Sequence, residues 1–178
     1  MEVAEGDKAR FSLKKLPMGY RFLPTDEELV VYYLINKAFY RPLPAEVIPD
    51  IREREFYSSP PSDLVMPFSG ERQRFFFIHS DENFHGDLKR TTRIVGNGMG
   101  FWKLSGEGDP IYSPGDKNIS AFKFQFTYFS GPPLAAKKTH WRMEEYRLPI
   151  DFYMKNDMKG EGLALGRIRR NKDYDSGF

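Results

Sequence analysis

The hydrophobic pattern of the segment LPTDEELVVYYLINKAF predicts an amphipathic helix over residues 26–38. Four apolar residues recur there at the spacing of a single helix face: Val30, Tyr33, Leu34 and Ala38. Thr25 is a good N-cap, and Glu28 completes a capping box three residues later. Pro42 and Pro44 follow and cannot continue a helix, so the pattern also predicts where the helix ends.

Alternation of apolar and polar residues predicts the strands. The clearest is AFKFQFTYF, where aromatic residues alternate with polar ones: Phe122, Phe124, Phe126 and Tyr128, against Lys123, Gln125 and Thr127. A second, THWRMEEYRL, divides its apolar and charged residues between two faces: Trp141 and Met143, against Arg142 and Glu144. RFFFIHS, LALGRI and FWKLS are further strands, and a brief helix is expected near residues 62–65. One early helix followed by several strands predicts an α+β fold with a mainly antiparallel sheet.

Composition limits the classes of function. The sequence has no cysteine, which excludes disulfides, thiolate catalysis and cysteine-based zinc sites. The polar start MEVAEGDKAR lacks a signal-peptide pattern, and no apolar run approaches the ~20 residues of a membrane helix. We therefore expect an intracellular protein with no membrane partner. The net charge is only +2, so a nucleic-acid surface would require local clustering of cations.

The stretch GNGMGFWKLSG, residues 96–106, has two interpretations. It is not a dinucleotide or phosphate-binding loop, because the glycine spacing is wrong and a strand follows instead of a helix. The ionisable residues around it are all basic: Lys89, Arg90, Arg93 and Lys103. Trp102 and Lys103 alternate on a strand, so one side chain can anchor in the core while the other points outward. The stretch is either a tight turn with solvated cations or a strand edge that contacts DNA.

Four ordered segments resemble one family. LPMGYRFLPTDEELVVYYL, GFWKLSG, KKTHWRMEEYRL and LALGRI resemble the motifs of the plant NAC (NAM/ATAF/CUC) domain. The resemblance implies a transcription-factor domain with a twisted antiparallel sheet flanked by a few helices. It implies dimers that insert the strand edge carrying WKLSG into the major groove of sites with a CGT or CACG core, and no metal or cofactor. We expect this domain to span residues 16–171, after a flexible basic arm (1–15) and before a short tail (172–178).

The resemblance also implies the site residues. The candidate DNA-binding residues are Lys103, Trp102, Arg93, Lys123, Lys137 and Lys138, with Trp102 mostly structural. The basic run beside the glycines adds Lys89 and Arg90. The candidate dimer residues are Arg21, Glu28, Leu16 and Pro17. Arg21 and Glu28 are expected to form reciprocal salt bridges across a two-fold axis, although Glu28 also serves the capping box.

Departures from the family motifs leave a second function open. Several positions that are usually basic are not so here: HSDEN at residues 79–83, Phe124, and SGEGDP with Glu107 and Asp109. Each lost cation removes up to one phosphate contact, and each contact contributes about 0.9 to the slope of log affinity against log salt concentration. The alternative is therefore an interaction protein that heterodimerises with other family members and binds DNA weakly by itself. In either case the expected protein partner is a second copy of this chain, in a homodimer, or another NAC protein, in a heterodimer.

An enzyme is the least favoured hypothesis. His79, Asp81, Glu82 and His85 lie close in sequence, but their spacing fits no ligand pattern and a solvated loop is expected. We therefore expect no catalysis, no metal and no small-molecule substrate. Localisation in the nucleus follows from the implied function. RIRRNK, residues 167–172, is either an import signal or a solvated strand end.

Overall fold

The computed structural model describes residues 22–65, 73–80, 91–115, 117–158 and 162–171. Within these ranges one seven-stranded sheet has the order β1-β2-β7-β6-β5-β4-β3. The strands are β1 (Asp50–Arg52), β2 (Gln73–His79), β3 (Thr92–Val95), β4 (Gly100–Tyr112), β5 (Ile119–Ser130), β6 (Lys137–Arg147) and β7 (Leu163–Arg170). Only β1 and β2 pair in parallel. The expected α+β fold with a mainly antiparallel sheet is confirmed.

The helix predicted from the first hydrophobic pattern is present, with a π-helical centre. It consists of α1 (Asp26–Glu28), a π-helical turn (Leu29–Leu34) and α2 (Ile35–Ala38). The predicted capping box is formed in both directions between Thr25 and Glu28. The other helical elements are short: α3 (Glu53–Phe56), α4 (Pro61–Val65), the 3₁₀ turn Pro133–Ala135 and α5 (Ile150–Lys155).

Each face of the sheet buries its own hydrophobic core. On one face, Phe77, Tyr146 and Leu165 pack against the helical segment 26–38 and against Tyr153 of α5. On the other, Trp102, Phe126 and other apolar side chains pack against Phe56 of α3 and Val65 of α4. Alternation along each strand supplies both cores, because successive side chains point to opposite faces.

The elements that the sequence analysis missed are short or strongly polar. The edge strand β1 has three residues, of which only Ile51 is apolar. β3 has four residues with alternating exposure, too few for a clear period-two signal. α5 follows Pro149 and has six residues, so its pattern covers less than two turns.

Candidate nucleic-acid interface

The glycine-rich stretch is a hairpin turn between β3 and β4. Residues 96–99 form the turn, and Val95 pairs with Gly100 across it. Gly96 and Gly98 have φ angles of +57° and +92°, which favour glycine. A Cβ on Gly100 would lie 2.3 Å from the Tyr128 hydroxyl oxygen, so packing requires glycine there as well. The glycines therefore shape the turn that fixes β3 against β4.

Trp102 and Lys103 point to opposite faces of β4. Trp102 is 1% exposed and lies in the core, with its ring centroid 5.2 Å from that of Tyr128. Lys103 is exposed, and no acidic side chain of the described residues pairs with it. The predicted division between an anchoring Trp102 and an outward Lys103 is what the structure has.

Lys103 belongs to a row of polar side chains that crosses the sheet. The strand register aligns it with Thr92 of β3 and Thr127 of β5, and then with Arg142 of β6 and Arg169 of β7. Residues paired directly across antiparallel strands point to the same face. We call Lys103, Arg142 and Arg169 the basic row. At about 4.8 Å per strand, it runs about 14 Å from β4 to β7.

The sequence analysis missed Arg142 and Arg169 as members of this surface. The alternation in THWRMEEYRL places Arg142 on the charged face of its strand, and this is the one sequence signal for its exposure. Its position beside Lys103 depends on the register of three strands, which the alternation within one strand does not define. The Arg142 guanidinium donates to the carbonyl oxygens of Thr139, at 2.6 Å, and Trp141, at 3.0 Å.

An apolar row lies beside the basic row on the same face. Ile94, Phe101 and Phe129 are aligned across β3, β4 and β5, and the row ends at Lys138 of β6. The rings of Phe101 and Phe129 stack with centroids 5.2 Å apart, and Ile94 is 51% exposed. Lys137 and Lys138 are both exposed, so these two predicted cations face solvent.

Arg93 is not placed to contact DNA, contrary to the sequence-based expectation. Its side chain is 1% exposed and points to the same face of the sheet as Trp102, where it donates to both carboxylate oxygens of Glu145 at 2.7 and 3.1 Å. It also donates to the Tyr57 hydroxyl at 2.6 Å and lies 4.4 Å from the Phe126 ring centroid. Arg93 therefore has a structural role, because a buried charge of this kind needs its partner.

Burial and the two neighbouring arginines set the charge states of Glu145 and Tyr57. Burial by itself would raise the pKa of Glu145, but Arg147 and Arg93 lower it to about 2, so the carboxylate stays ionised. Burial raises the pKa of Tyr57 to about 12, which keeps this hydroxyl protonated and able to act as a donor. Arg147 Nε donates to Glu145 at 2.9 Å and completes the cluster.

Lys123 is also occupied within the protein. Its ammonium lies 2.8 Å from the carboxylate of Asp26 in α1 and 3.9 Å from that of Glu144, and its side chain is 19% exposed. Lys123 thus ties the start of the first helical segment to β5. It is a poor candidate for a phosphate contact, for which it was predicted. The predicted contacts Lys89 and Arg90 lie outside the described residues.

WKLSG is only partly a strand edge. Trp102 and Lys103 are paired with β3 on one side and β5 on the other. Beyond Ser105 the β4–β5 register shifts, in a bulge where Gly106 and Gly108 have positive φ angles. Lys103 therefore lies on a sheet face. Among the described residues, the free edge of β4 is the stretch 105–112 that follows, bulge included, because it is paired with β5 and not with β3.

Comparison with known proteins identifies the family of this chain. The family model described as "No apical meristem (NAM) protein" matches residues 17–148. The chain belongs to the NAM, or NAC domain, family. The resemblance drawn from the four motifs is thus confirmed.

Named NAC relatives come from several plants. The chain is 37% identical to NAC transcription factor 32 of Arabidopsis thaliana, over 89% of this chain and 60% of that protein. It is 37% identical to NAC domain-containing protein 58 of Oryza sativa subsp. japonica, over 75% of this chain and 33% of the relative. It is also 37% identical to NAC domain-containing protein 2 of Solanum lycopersicum, over 75% and 46%. The chain therefore spans about a third to three fifths of the curated NAC proteins it matches.

The departures from the NAC motifs have different surroundings. Phe124, which replaces a lysine, lies on the Trp102 face of the sheet, opposite the face of Lys103. A Cβ on Gly108 would lie 2.6 Å from the Phe124 ring. Glu107 and Asp109 are exposed on and beside the bulge, and Gln125 Nε2 lies 3.4 Å from Asp109. Acidic residues therefore follow the basic row without pairing with Lys103. Most of HSDEN lies outside the described residues.

The predicted NAC dimer surface is described only at Glu28. Its carboxylate Oε1 accepts from the Thr25 backbone N–H at 2.8 Å, and the side chain is exposed. The other predicted dimer residues, Arg21, Leu16 and Pro17, lie outside the described residues. Glu28 thus has the local role that was the alternative to the dimer contact, and it remains accessible to a partner.

The remaining candidate sites lie only partly within the described ranges. Within these ranges, no group of three or more His, Asp or Glu side chains is arranged to hold a metal ion. His79 pairs with Asp50 at 2.8 Å, whereas Asp81, Glu82 and His85 fall outside. No helix in the described ranges is long and apolar enough to cross a membrane. Arg167–Arg170 of RIRRNK belong to β7, which is paired on both sides, so this tract is not an accessible extended peptide.

Proposed function

We propose that this NAC domain binds double-stranded DNA sequence-specifically and acts in the nucleus as a dimeric transcription factor. The observation that carries the proposal is the basic row, three cations aligned on one sheet face with Lys103 exposed and unpaired by any described acid. NAC transcription factor 32, a relative over most of this chain, supports it by name.

The dimensions of the row suit a duplex. The major groove is about 12 Å wide, and the row is about 14 Å long, so the Lys103 end can lie in the groove while the rest of the row lies beside the phosphate backbone. Lys103 is followed by the glycine bulge, where small residues permit close approach of the backbone. We assign base-edge contact to Lys103 in a site with a CGT or CACG core. Phosphate contact falls to Arg142, Lys137 and Lys138.

The central test is duplex binding across a salt series. Lys103→Ala is expected to lose about 1–3 kcal/mol of binding free energy on a CACG-core duplex, and less on a scrambled one, since a base contact is lost. Lys155→Ala is the matched control, because Lys155 is an exposed cation on α5 that does not belong to the basic row. Binding is measured by fluorescence anisotropy, and the affinity of wild type should fall steeply with salt.

Two results would contradict this assignment. Equal losses for Lys103→Ala and Lys155→Ala would mean that only net charge matters. Absence of duplex binding by wild type at low salt would favour the second candidate, a NAC protein that heterodimerises and binds DNA weakly alone. The capture of Lys123 by Asp26 and the burial of Arg93 support that candidate, because both remove cations from the surface.

A further inference from the structure

Glu144 is an acidic residue beside the basic row, and three cations surround its carboxylate. It pairs in register with Gln125 of β5 and Arg167 of β7, one row away from Lys103 and on the same face. Its side chain is 8% exposed. The Arg169 guanidinium lies 3.5 Å from it, that of Arg167 3.6 Å and the Lys123 ammonium 3.9 Å. One carboxylate therefore offsets part of the charge of three cations.

The contacts of Glu144 are long, unlike those of Glu145. Arg93 and Glu145 approach to 2.7 Å with two hydrogen bonds, whereas the nearest cation of Glu144 is 3.5 Å away. Glu144 Oε1 is buried without a hydrogen-bond partner. Glu144 is thus held mainly by its surrounding charge, and a neutral side chain of the same shape should be accommodated.

Arg169 is the cation that Glu144 affects most at the surface. Its side chain is 40% exposed, and Glu144 is its acidic partner among the described residues. Arg167 is 19% exposed and also donates to Gln73, and Lys123 is bound by Asp26. Release from Glu144 would therefore free Arg169 more than the other two.

We propose that Glu144, by pairing with Arg169, keeps this arginine from binding phosphates and so lowers the affinity of this sheet face for polyanions. The inference rests on the proposed DNA binding for its biological meaning, but the electrostatic restraint itself can be measured with any polyanion. Glu144→Gln adds one available cation, equivalent to about one phosphate contact. The slope of log affinity against log salt concentration should steepen by about 0.9. This corresponds to a gain in affinity of about eightfold at 0.1 M salt relative to 1 M.

The experiment compares five proteins on a CACG-core duplex and on a heparin column. These are wild type, Glu144→Gln, Arg169→Gln and the double variant, with Glu46→Gln as the matched control. Glu46 is exposed and precedes β1, at the opposite end of the sheet from β3 and β4. Glu144→Gln should bind the duplex more tightly and elute from heparin at higher salt, and adding Arg169→Gln should abolish both gains. Arg169→Gln alone should change either readout less than twofold.

Each other outcome has a definite meaning. An equal gain for Glu46→Gln, or no gain for Glu144→Gln, overturns the inference. An eightfold loss of duplex affinity for Arg169→Gln alone also overturns the inference, because it would mean that Arg169 already contacts phosphate in wild type. This test holds even if Glu144→Gln fails to fold. A heparin shift without duplex binding by any variant supports the role of Glu144 and overturns the proposed DNA binding instead.

Discussion

Arg93 and Lys103 are both basic residues beside the glycine-rich hairpin, but their side chains have opposite environments. Arg93 is directly paired with Trp102 in the register and so shares its buried face. Lys103 is one residue further along β4 and points to solvent. The position within the period of two, rather than the residue type, therefore decides whether a cation is structural or available to a ligand.

This difference predicts a stability effect at Arg93. Arg93→Met removes one partner of the buried Glu145 and should lower the free energy of unfolding by about 3–5 kcal/mol, since a charge is left under-compensated. Urea denaturation measures the change. Lys138→Met, at an exposed cation, is the control and should stay within about 0.5 kcal/mol of wild type. A stable Arg93→Met protein that no longer bound DNA would restore Arg93 as a contact residue.

At the scale of elements, the start of the first helical segment serves two purposes. Thr25 and Glu28 exchange hydrogen bonds of 2.8 and 3.1 Å that satisfy two otherwise free N–H groups. Asp26 binds Lys123 of β5 and accepts a 2.7 Å hydrogen bond from the Tyr146 hydroxyl of β6. The same turn is thus capped by one acid and fixed to the sheet by another, while Glu28 faces outward.

The cap allows the dimer role of Glu28 to be tested separately from folding. Glu28→Gln keeps an oxygen acceptor for the capping box but removes the charge that Arg21 of a partner would bind. Two symmetric surface ion pairs would be lost, about 0.4–2 kcal/mol of dimer stability, with little change in melting temperature. Sedimentation equilibrium should show more monomer than for the neighbouring control Glu27→Gln. Identical dimerisation of the two variants would leave Glu28 with its capping role alone.

For the whole molecule, acidic residues that range from buried (Glu145) to exposed (Asp50) connect the separate elements. Asp26 joins the first helical segment to the sheet, Asp50 joins β1 to Lys37 and His79, and Glu145 joins β6 to β3. Burial opposes ionisation at all three, but their hydrogen bonds and neighbouring cations outweigh it and lower each pKa. These acids are therefore more acidic folded than unfolded.

Acid should consequently unfold the protein. A lowered folded-state pKa contributes stability that is present above the unfolded pKa and is lost as pH falls through the folded one. With Glu145 moving from 4.5 to about 2, the free energy of unfolding should decline between about pH 5 and pH 2. Urea denaturation at several pH values measures this, and Asp26→Asn should show a shallower decline. A constant free energy over this range would contradict the linkage.

Local patterns in the sequence determined the elements and the family. The capped helix at 26–38 and the alternation in β5 and β6 depend on neighbouring residues only, so they could be predicted. The motif around Trp102 and Lys103 gave the right orientation of both side chains for the same reason.

Tertiary structure alone decided which cations act together. Arg142 and Arg169 align with Lys103 through pairings between distant strands, and Lys123 and Arg93 are captured by acids far away in sequence. Register and long-range ion pairs depend on how whole strands pack, and no local period encodes them. The sequence therefore determined that a cation of β4 faces outward, and the fold determined the surface it belongs to.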